Sequence, residues 1–260
     1  MEYEDLLLEK ADGIATITLN APHKLNALTV GMRRSLPLAA AEIARDDELR
    51  AVIVTGAGRG FCSGADLTVT SVEPARHQRL EVLGTSYGAE VFLRLDKPVV
   101  AAINGVCAGG GLAIALSMDI RIAAETARFS AIFVRRGLVP DCAIAYWLPR
   151  AVGTARAMEL MLTGEIIDAR EALRLGIVGR VVPPDELMSV ARELAGRIAR
   201  NPPVPVELTR RIVYRSMVDD IVGVLDWETW AQAICRQSED AGEAIRAFLE
   251  KRAPAQFEGK

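Results

Sequence analysis

Residues 103–119 read I-N-G-V-C-A-G-G-G-L-A-I-A-L-S-M-D. Gly109, Gly110 and Gly111 open an apolar stretch, although glycine costs a helix interior about 1 kcal/mol relative to alanine. Three in a row imply that the backbone approaches another group closely or takes angles that a Cβ forbids. The stretch follows P-V-V-A-A-I-N-G (98–105), a β-branched run that reads as a strand, and leads into the apolar helix L-A-I-A-L-S-M. A helix start leaves backbone N–H groups unpaired and carries partial positive charge. The triplet is therefore a place where a strand hands over to a helix with free donors.

Further strands are predicted at G-I-A-T-I-T-L-N (13–20), R-A-V-I-V-T-G (50–56), I-R-I-A-A (120–124) and, more weakly, G-I-V-G-R-V-V (176–182). Helical patterns fall at 29–45, where Pro37 predicts a bend or break, and at 85–95 and 154–164. Strands alternating with helices predict an α/β architecture. Residues 66–84 are polar and irregular and read as a surface segment. After N-P-P-V-P (201–205) the pattern is helical from Val206 onward. There Asp240 with Glu243 predicts a capping box, and Ile245, Phe248 and Leu249 share one face. The chain thus divides into a core, 1–200, and a helical appendage, 201–260, whose apolar stripe needs a partner.

The chain has 260 residues, half of them hydrophobic, and a formal net charge of −3. That is enough for a sizeable core. No basic tract suggests nucleic acid as a partner. Cys62, Cys107, Cys142 and Cys235 are scattered, and His23 and His77 are the only histidines. No metal site is expected, and reduced thiols suit a cytoplasmic protein. The start, M-E-Y-E-D-L-L-L-E-K, is acidic where a secretory signal is basic, and no run of about 18 apolar residues predicts a membrane span.

T-G-A-G-R-G-F (55–61) resembles a phosphate loop, but Phe61 and Ser63 stand where dinucleotide fingerprints need glycine, and no P-loop motif occurs. R-G-F-C-S-G-A-D-L (59–67) is more informative. Its small residues Ser63, Gly64 and Ala65 follow a strand and a tight turn, as the glycine triplet does. Two such loops can each aim one N–H at a single oxygen, forming an oxyanion hole. Close packing of helix on strand gives the same spacing, and spacing alone leaves both open.

Three segments in order, G-R-G-F-C-S-G-A-D-L, A-I-N-G-V-C-A-G-G-G-L and G-L-V-P-D, resemble the crotonase superfamily of enoyl-CoA hydratases and isomerases. A-P-H-K-L-N-A-L (21–28) and A-F-L-E-K-R (247–252) extend the resemblance over nearly the whole chain. It implies a spiral of repeated ββα units, a C-terminal helical region and assembly as a homotrimer or a hexamer built as a dimer of trimers. It implies an acyl-CoA thioester held between the N–H groups of Ala65 and Gly110, with coenzyme A arriving as part of the substrate and no separate cofactor. It implies coenzyme A contacts at Lys24, Ser63, Ala65, Asp66 and Leu67, with Phe248 and Lys251 meeting it from a neighbouring subunit. Asp66 also reads as a loop-stabilising residue and Phe248 as helix packing.

The sequence departs from the family pattern at the acid and base. Hydratases of the family use two glutamates, and the corresponding positions here are Ala113 and Phe133, which exchange no protons. Asp141, in G-L-V-P-D-C-A-I, remains; the family members that resemble this turn in carrying an aspartate after it include enoyl-CoA and ring-oxepin-forming isomerases. Asp141 also reads as an N-cap for the following helix. Glu90 is a secondary candidate, with a solvated helix face as its plain reading. Dehalogenation would need a histidine at that position, and Cys142 as nucleophile would need one nearby. Asp119 reads as structural. The expectation is an enoyl-CoA isomerase-type proton transfer through a thioester enolate. The alternatives are a hydratase with a different acid/base set and a catalytically silent acyl-CoA-binding protein.

Overall fold

The structure is a computed structural model that describes residues 2–68 and 87–260. Ten strands form two sheets among the described residues. The larger sheet holds β1 (Leu6–Ala11), β2 (Ile14–Leu19), β3 (Ala51–Gly56), β5 (Val99–Ile103), β7 (Ile120–Ala124) and β10 (Arg180–Val182), in the order β1-β2-β3-β5-β7-β10. Only the β1–β2 hairpin in it is antiparallel. The smaller sheet holds β4 (Gly60–Cys62), β6 (Val106–Ala108), β8 (Arg128–Ser130) and β9 (Ile167–Asp168), in that order, parallel apart from β8–β9.

Each repeat therefore gives its first strand to the large sheet and its second to the small one: β3 then β4, β5 then β6, β7 then β8. Helices follow: α1 (Val30–Ala44) after the first hairpin, α2 (Tyr87–Arg94), α3 (Gly110–Leu116) after β6, and α4 (Ile144–Val152), α5 (Thr154–Thr163) and α6 (Ala169–Leu175) further on. This is the crotonase spiral of ββα units. It is carried by strands apolar on both faces, as a covered parallel sheet requires. Val52 and Val54 of β3 enter the core between the sheets with Phe61, Phe129 and Leu112, while Ala51 and Ile53 face the opposite side. There α7 (Leu187–Ala199) lays Leu187, Ala191 and Ala195 against them.

The C-terminal region is α8 (Pro203–Arg215), α9 (Ile221–Arg236) and α10 (Glu239–Leu249). α8 is fastened to the spiral by Arg210. Its Nε donates to both oxygens of Asp119 at 2.9 Å, and its terminal nitrogens donate to the carbonyls of Phe92, Leu93 and Leu95. Asp119 also accepts from Tyr214 Oη at 2.5 Å and from Val99 N at 2.7 Å, so it is a structural anchor.

Several expectations are corrected. α1 runs unbroken through Pro37, because Leu36, Ala39, Ala40 and Ile43 bury its inner face around the exposed ring. The cap of α10 is Ser238, which accepts from Ala241 N at 3.1 Å, and Asp240 instead is buried and accepts from Glu258 N and Gly259 N. Glu243 pairs with Arg246 and Arg252 and accepts from Ala255 N, so no capping box forms. Only the last three residues of 176–182 are strand. Asp66 is buried, and most of the segment 66–84 lies outside the described residues.

Candidate active site

Gly109, Gly110 and Gly111 each answer to a different demand. Gly109 has φ +52° and ψ −124°, a conformation that side chains resist. A Cβ on Gly111 would lie 2.2 Å from the Cys62 carbonyl oxygen, so this glycine lets α3 press against β4. A Cβ on Gly110 would point into a cavity, 3.3 Å from Leu28 Cδ1 and 3.8 Å from Cys142 Sγ.

The second loop meets the first at Gly64, which has φ +100°, and a Cβ there would lie 3.2 Å from Gly110 N. The loop is placed by a parallel bridge between Leu28 and Ala65, in which Leu28 N donates to Gly64 O at 2.8 Å. That pairing turns the N–H of Ala65 away from Leu28. Gly110, in the first turn of α3, has no partner within its helix. Among the described residues, neither N–H has a protein acceptor. Two donors on adjoining loops thus border one cavity of about 660 Å³, a size suited to a small-molecule site.

Two asparagines hold these loops. Asn26 accepts from Ala21 N and donates to Ala57 O and Gly60 O. Asn104 donates to Gly56 O, Gly58 O and Gly60 O and accepts from Gly56 N. Sequence reading passed over both, although the dipeptide Asn104-Gly105 marks a tight turn.

The cavity gathers Lys24, Ser63, Ala65, Asp66, Leu67, Gly110 and Asp141. Lys24 Nζ donates to Asp66 Oδ2 at 2.7 Å and to Thr68 Oγ1 at 3.3 Å. Thr68 donates to the other Asp66 oxygen through Oγ1 at 2.6 Å and through N at 3.0 Å. The Lys24 ammonium, then the Thr68 bonds, hold the Asp66 carboxyl down at about 2. Asp66 is a loop anchor, and Lys24 keeps one ammonium donor for a ligand. Ser63 Oγ donates to Lys24 O at 3.1 Å, tying the loops together.

Asp141 is not a helix cap. α4 begins at Ile144 behind Ala143, and no side chain caps it. Cys142 and Ala143 have φ +53° and +61°, a strained pair of the kind that clusters at functional sites. The turn leaves Asp141 exposed at the cavity and Cys142 buried, with its thiol hydrogen-bonded to Asp141. Burial, then the Asp141 charge and that bond, push the thiol up to about 12. It stays protonated and is no nucleophile.

Phe133 lines the cavity, whereas Ala113 is buried within α3. Glu90 pairs with Arg94 along α2 and lies outside the cavity lining. Phe248 is 82% exposed, too little covered for the helix-packing reading within this chain, and neither it nor Lys251 lines the cavity among the described residues. Arg33 and Arg136, which sequence reading did not single out, do line it. Among the described residues no cluster of potential metal ligands occurs, and no helix is long and apolar enough to cross a membrane.

A model of the enoyl-CoA hydratase/isomerase family matches residues 9–260. The chain belongs to this family. It is 40% identical over 257 residues to a short-chain-enoyl-CoA hydratase of Clostridium acetobutylicum, covering 97% of each. It is 38% identical over 263 residues to a 1,2-epoxyphenylacetyl-CoA isomerase of Escherichia coli, covering 99% of each. A crystal structure of an enoyl-CoA hydratase from Bacillus anthracis superimposes with a TM-score of 0.93 at 33% identity, over 99% of this chain and 100% of that one. Family membership accounts for the spiral, and hydratases and isomerases both stand among the relatives.

Proposed function

We propose that the chain is an enoyl-CoA isomerase-type enzyme that moves a proton between carbons of an unsaturated acyl thioester. The observation carrying this reading is the inventory of acids. Of the two carboxylates lining the described cavity, Asp66 is locked to Lys24, which leaves Asp141 to exchange protons. The positions that hold glutamates in the family's hydratases are Ala113 and Phe133. In this mechanism the thioester oxygen lies between the N–H groups of Ala65 and Gly110. Loss of a proton from the α-carbon makes an enolate, and the two donors bind its oxygen more strongly than the neutral carbonyl. Asp141 takes the proton and returns it at the γ-carbon, or the reverse.

Coenzyme A enters as part of the substrate, and the reaction needs no further cofactor. Lys24 meets its phosphates, and Ser63, Ala65, Asp66 and Leu67 line its path. Phe248 and Lys251 reach it from a neighbouring subunit of a homotrimer or dimer of trimers. Residues 1–200 form the acyl-CoA-binding core and 201–260 the assembly region of a cytoplasmic enzyme.

The test is proton exchange. A 3-enoyl-CoA incubated with the protein in deuterium oxide should gain deuterium at the α- or γ-carbon as the double bond moves. No exchange with any enoyl-CoA that binds would support a silent binding protein. The 40% identity to a named hydratase favours hydration as a second reading. Solvent oxygen appearing in the product would establish it.

A further inference from the structure

Two consecutive residues other than glycine, Cys142 and Ala143, hold φ +53° and +61° at the cavity wall. Glycine takes such angles without penalty, whereas side chains resist them. The turn is closed by Ile144 N, which donates to Asp141 O at 3.1 Å, and Ala143 O accepts from Tyr146 N and Trp147 N. Ile144 and Leu148, both fully buried, pin the helix that follows. Glycine at 142 would meet the backbone requirement with less strain, so a side chain held there points to a use of the side chain itself.

That side chain turns inward while its neighbour stays open to solvent. Cys142 is 8% exposed and Asp141 is exposed, yet both line the cavity. Cys142 Sγ lies 3.8 Å from where a Cβ on Gly110 would stand, against the turn that offers one of the two N–H donors. The same thiol is hydrogen-bonded to the Asp141 side chain. A protonated thiol donates in such a bond, and an ionised carboxylate only accepts. One sulfur atom thus adjoins both the donor turn and the carboxylate.

A carboxylate that takes a proton from carbon must stay within about 3–3.5 Å of the reacting atom, and a displacement of about 1 Å costs about 10²-fold in rate. An exposed aspartate is free to rotate about its side-chain bonds unless a donor fixes it. Resting on the reading of Asp141 as the proton carrier, we propose that Cys142 is a positioning residue, whose thiol holds the Asp141 carboxylate in a fixed place beside the Gly110 turn. Base and oxyanion donor then keep one separation while the proton moves.

The test compares variants at 142 with a 3-enoyl-CoA as substrate. Cys142→Ala removes the donor, and Ala143 shows that alanine takes this backbone conformation. Its kcat and deuterium exchange should fall about ten- to hundredfold, the scale of a misplaced catalytic group. KM, and hexanoyl-CoA affinity by calorimetry, should stay within about twofold, since the interaction lost is one that serves the transition state. Cys142→Ser keeps a hydrogen-bond donor and should recover most of the lost rate. If Cys142→Ala fails to fold, Cys142→Gly removes the same thiol at an angle glycine takes freely. In an Asp141→Asn background the alanine change should cost no further rate, because residues that act as a unit are non-additive. Unmodified turnover in folded Cys142→Ala or Cys142→Gly would overturn the proposal. So would an equal loss in Cys142→Ser, or a second full loss on top of Asp141→Asn. If Asp141→Asn alone kept full exchange, the reading of Asp141 would fall, and this inference with it. A slow Asp141→Asn beside an unimpaired Cys142→Ala would overturn the inference alone.

Discussion

At Asp141 a single carboxylate separates the possible chemistries. Asp141→Asn keeps the shape of the side chain and removes its basicity. Because this side chain caps no helix, the melting temperature should hardly move. Turnover and deuterium exchange should fall by about 10²–10⁴-fold, the usual scale for a lost general base, while acyl-CoA binding persists. Exchange at the unmodified rate would remove Asp141 from the mechanism. The glycine triplet gives a second contrast. Gly110→Val should leave a folded protein whose turnover drops, because losing one oxyanion donor costs about 2.7–4 kcal/mol of transition-state stabilisation. Gly111→Ala should fail differently. Its Cβ would lie 2.2 Å from the Cys62 carbonyl, so α3 must move and the soluble yield or melting temperature should fall sharply. If the two variants behaved alike, the roles assigned to these glycines would be wrong.

Elements are held in place by charges whose partners are known. The loop after β4 depends on Asp66, whose carboxyl is depressed from 3.8 to about 2 by Lys24 and Thr68. A depressed carboxyl stabilises the fold above its unfolded value and stops doing so as pH falls through the folded one. Ordering of this loop, and acyl-CoA affinity with it, should therefore hold down to about pH 4 and decline between about 4 and 2. Asp66→Asn should flatten that acid limb in a binding titration. The junction of α8 with the spiral rests on Asp119 and Arg210, whose side chains are 16% and 7% exposed. Asp119→Ala leaves that guanidinium buried without its counter-charge, and removing one partner of such a pair costs about 3–5 kcal/mol. Denaturant unfolding of the variant should show that loss. A change below about 0.5 kcal/mol, the range of neutral surface substitutions, would make the junction incidental.

The whole molecule leaves apolar surface uncovered. Val218, Ile221, Val222 and Leu225 on and before α9, and Phe248 and Leu249 on α10, are all more than half exposed. Light scattering at micromolar concentration should give the mass of a trimer or hexamer, and a monomer would refute the proposed assembly. The repeats with long β-branched strands were legible in sequence because a strand covered on both faces is apolar throughout, as β3 and β5 are. β4, β6, β8 and β9 were not, since three residues or fewer carry no period, and β1 (Leu6–Ala11) was not read as a strand either. The Ala65 and Gly110 loops were legible as glycine-rich strand ends. Arg33 and Arg136 were not, because which face of a helical turn lines a cavity depends on packing that one sequence does not encode locally. Asp240 was misread for a related reason. Its partners, Glu258 and Gly259, lie eighteen and nineteen residues away, beyond any capping pattern.

The strands β4 and β6 are neighbours in the small sheet, and each ends in one of the two donor loops. The donor loops are thus set side by side by the pairing of two neighbouring strands. Such a pairing is a ruler made of main chain, and side-chain replacement elsewhere in the site cannot stretch it. In the proposed mechanism the pair of donors can stay constant while residues on other elements, such as those at 113, 133 and 141, are exchanged. Under that mechanism, a lineage built on this scaffold changes what happens to the enolate without rebuilding the means of making one. Redesign toward a new reaction should therefore begin at those three positions and leave the glycine-bearing strand ends alone.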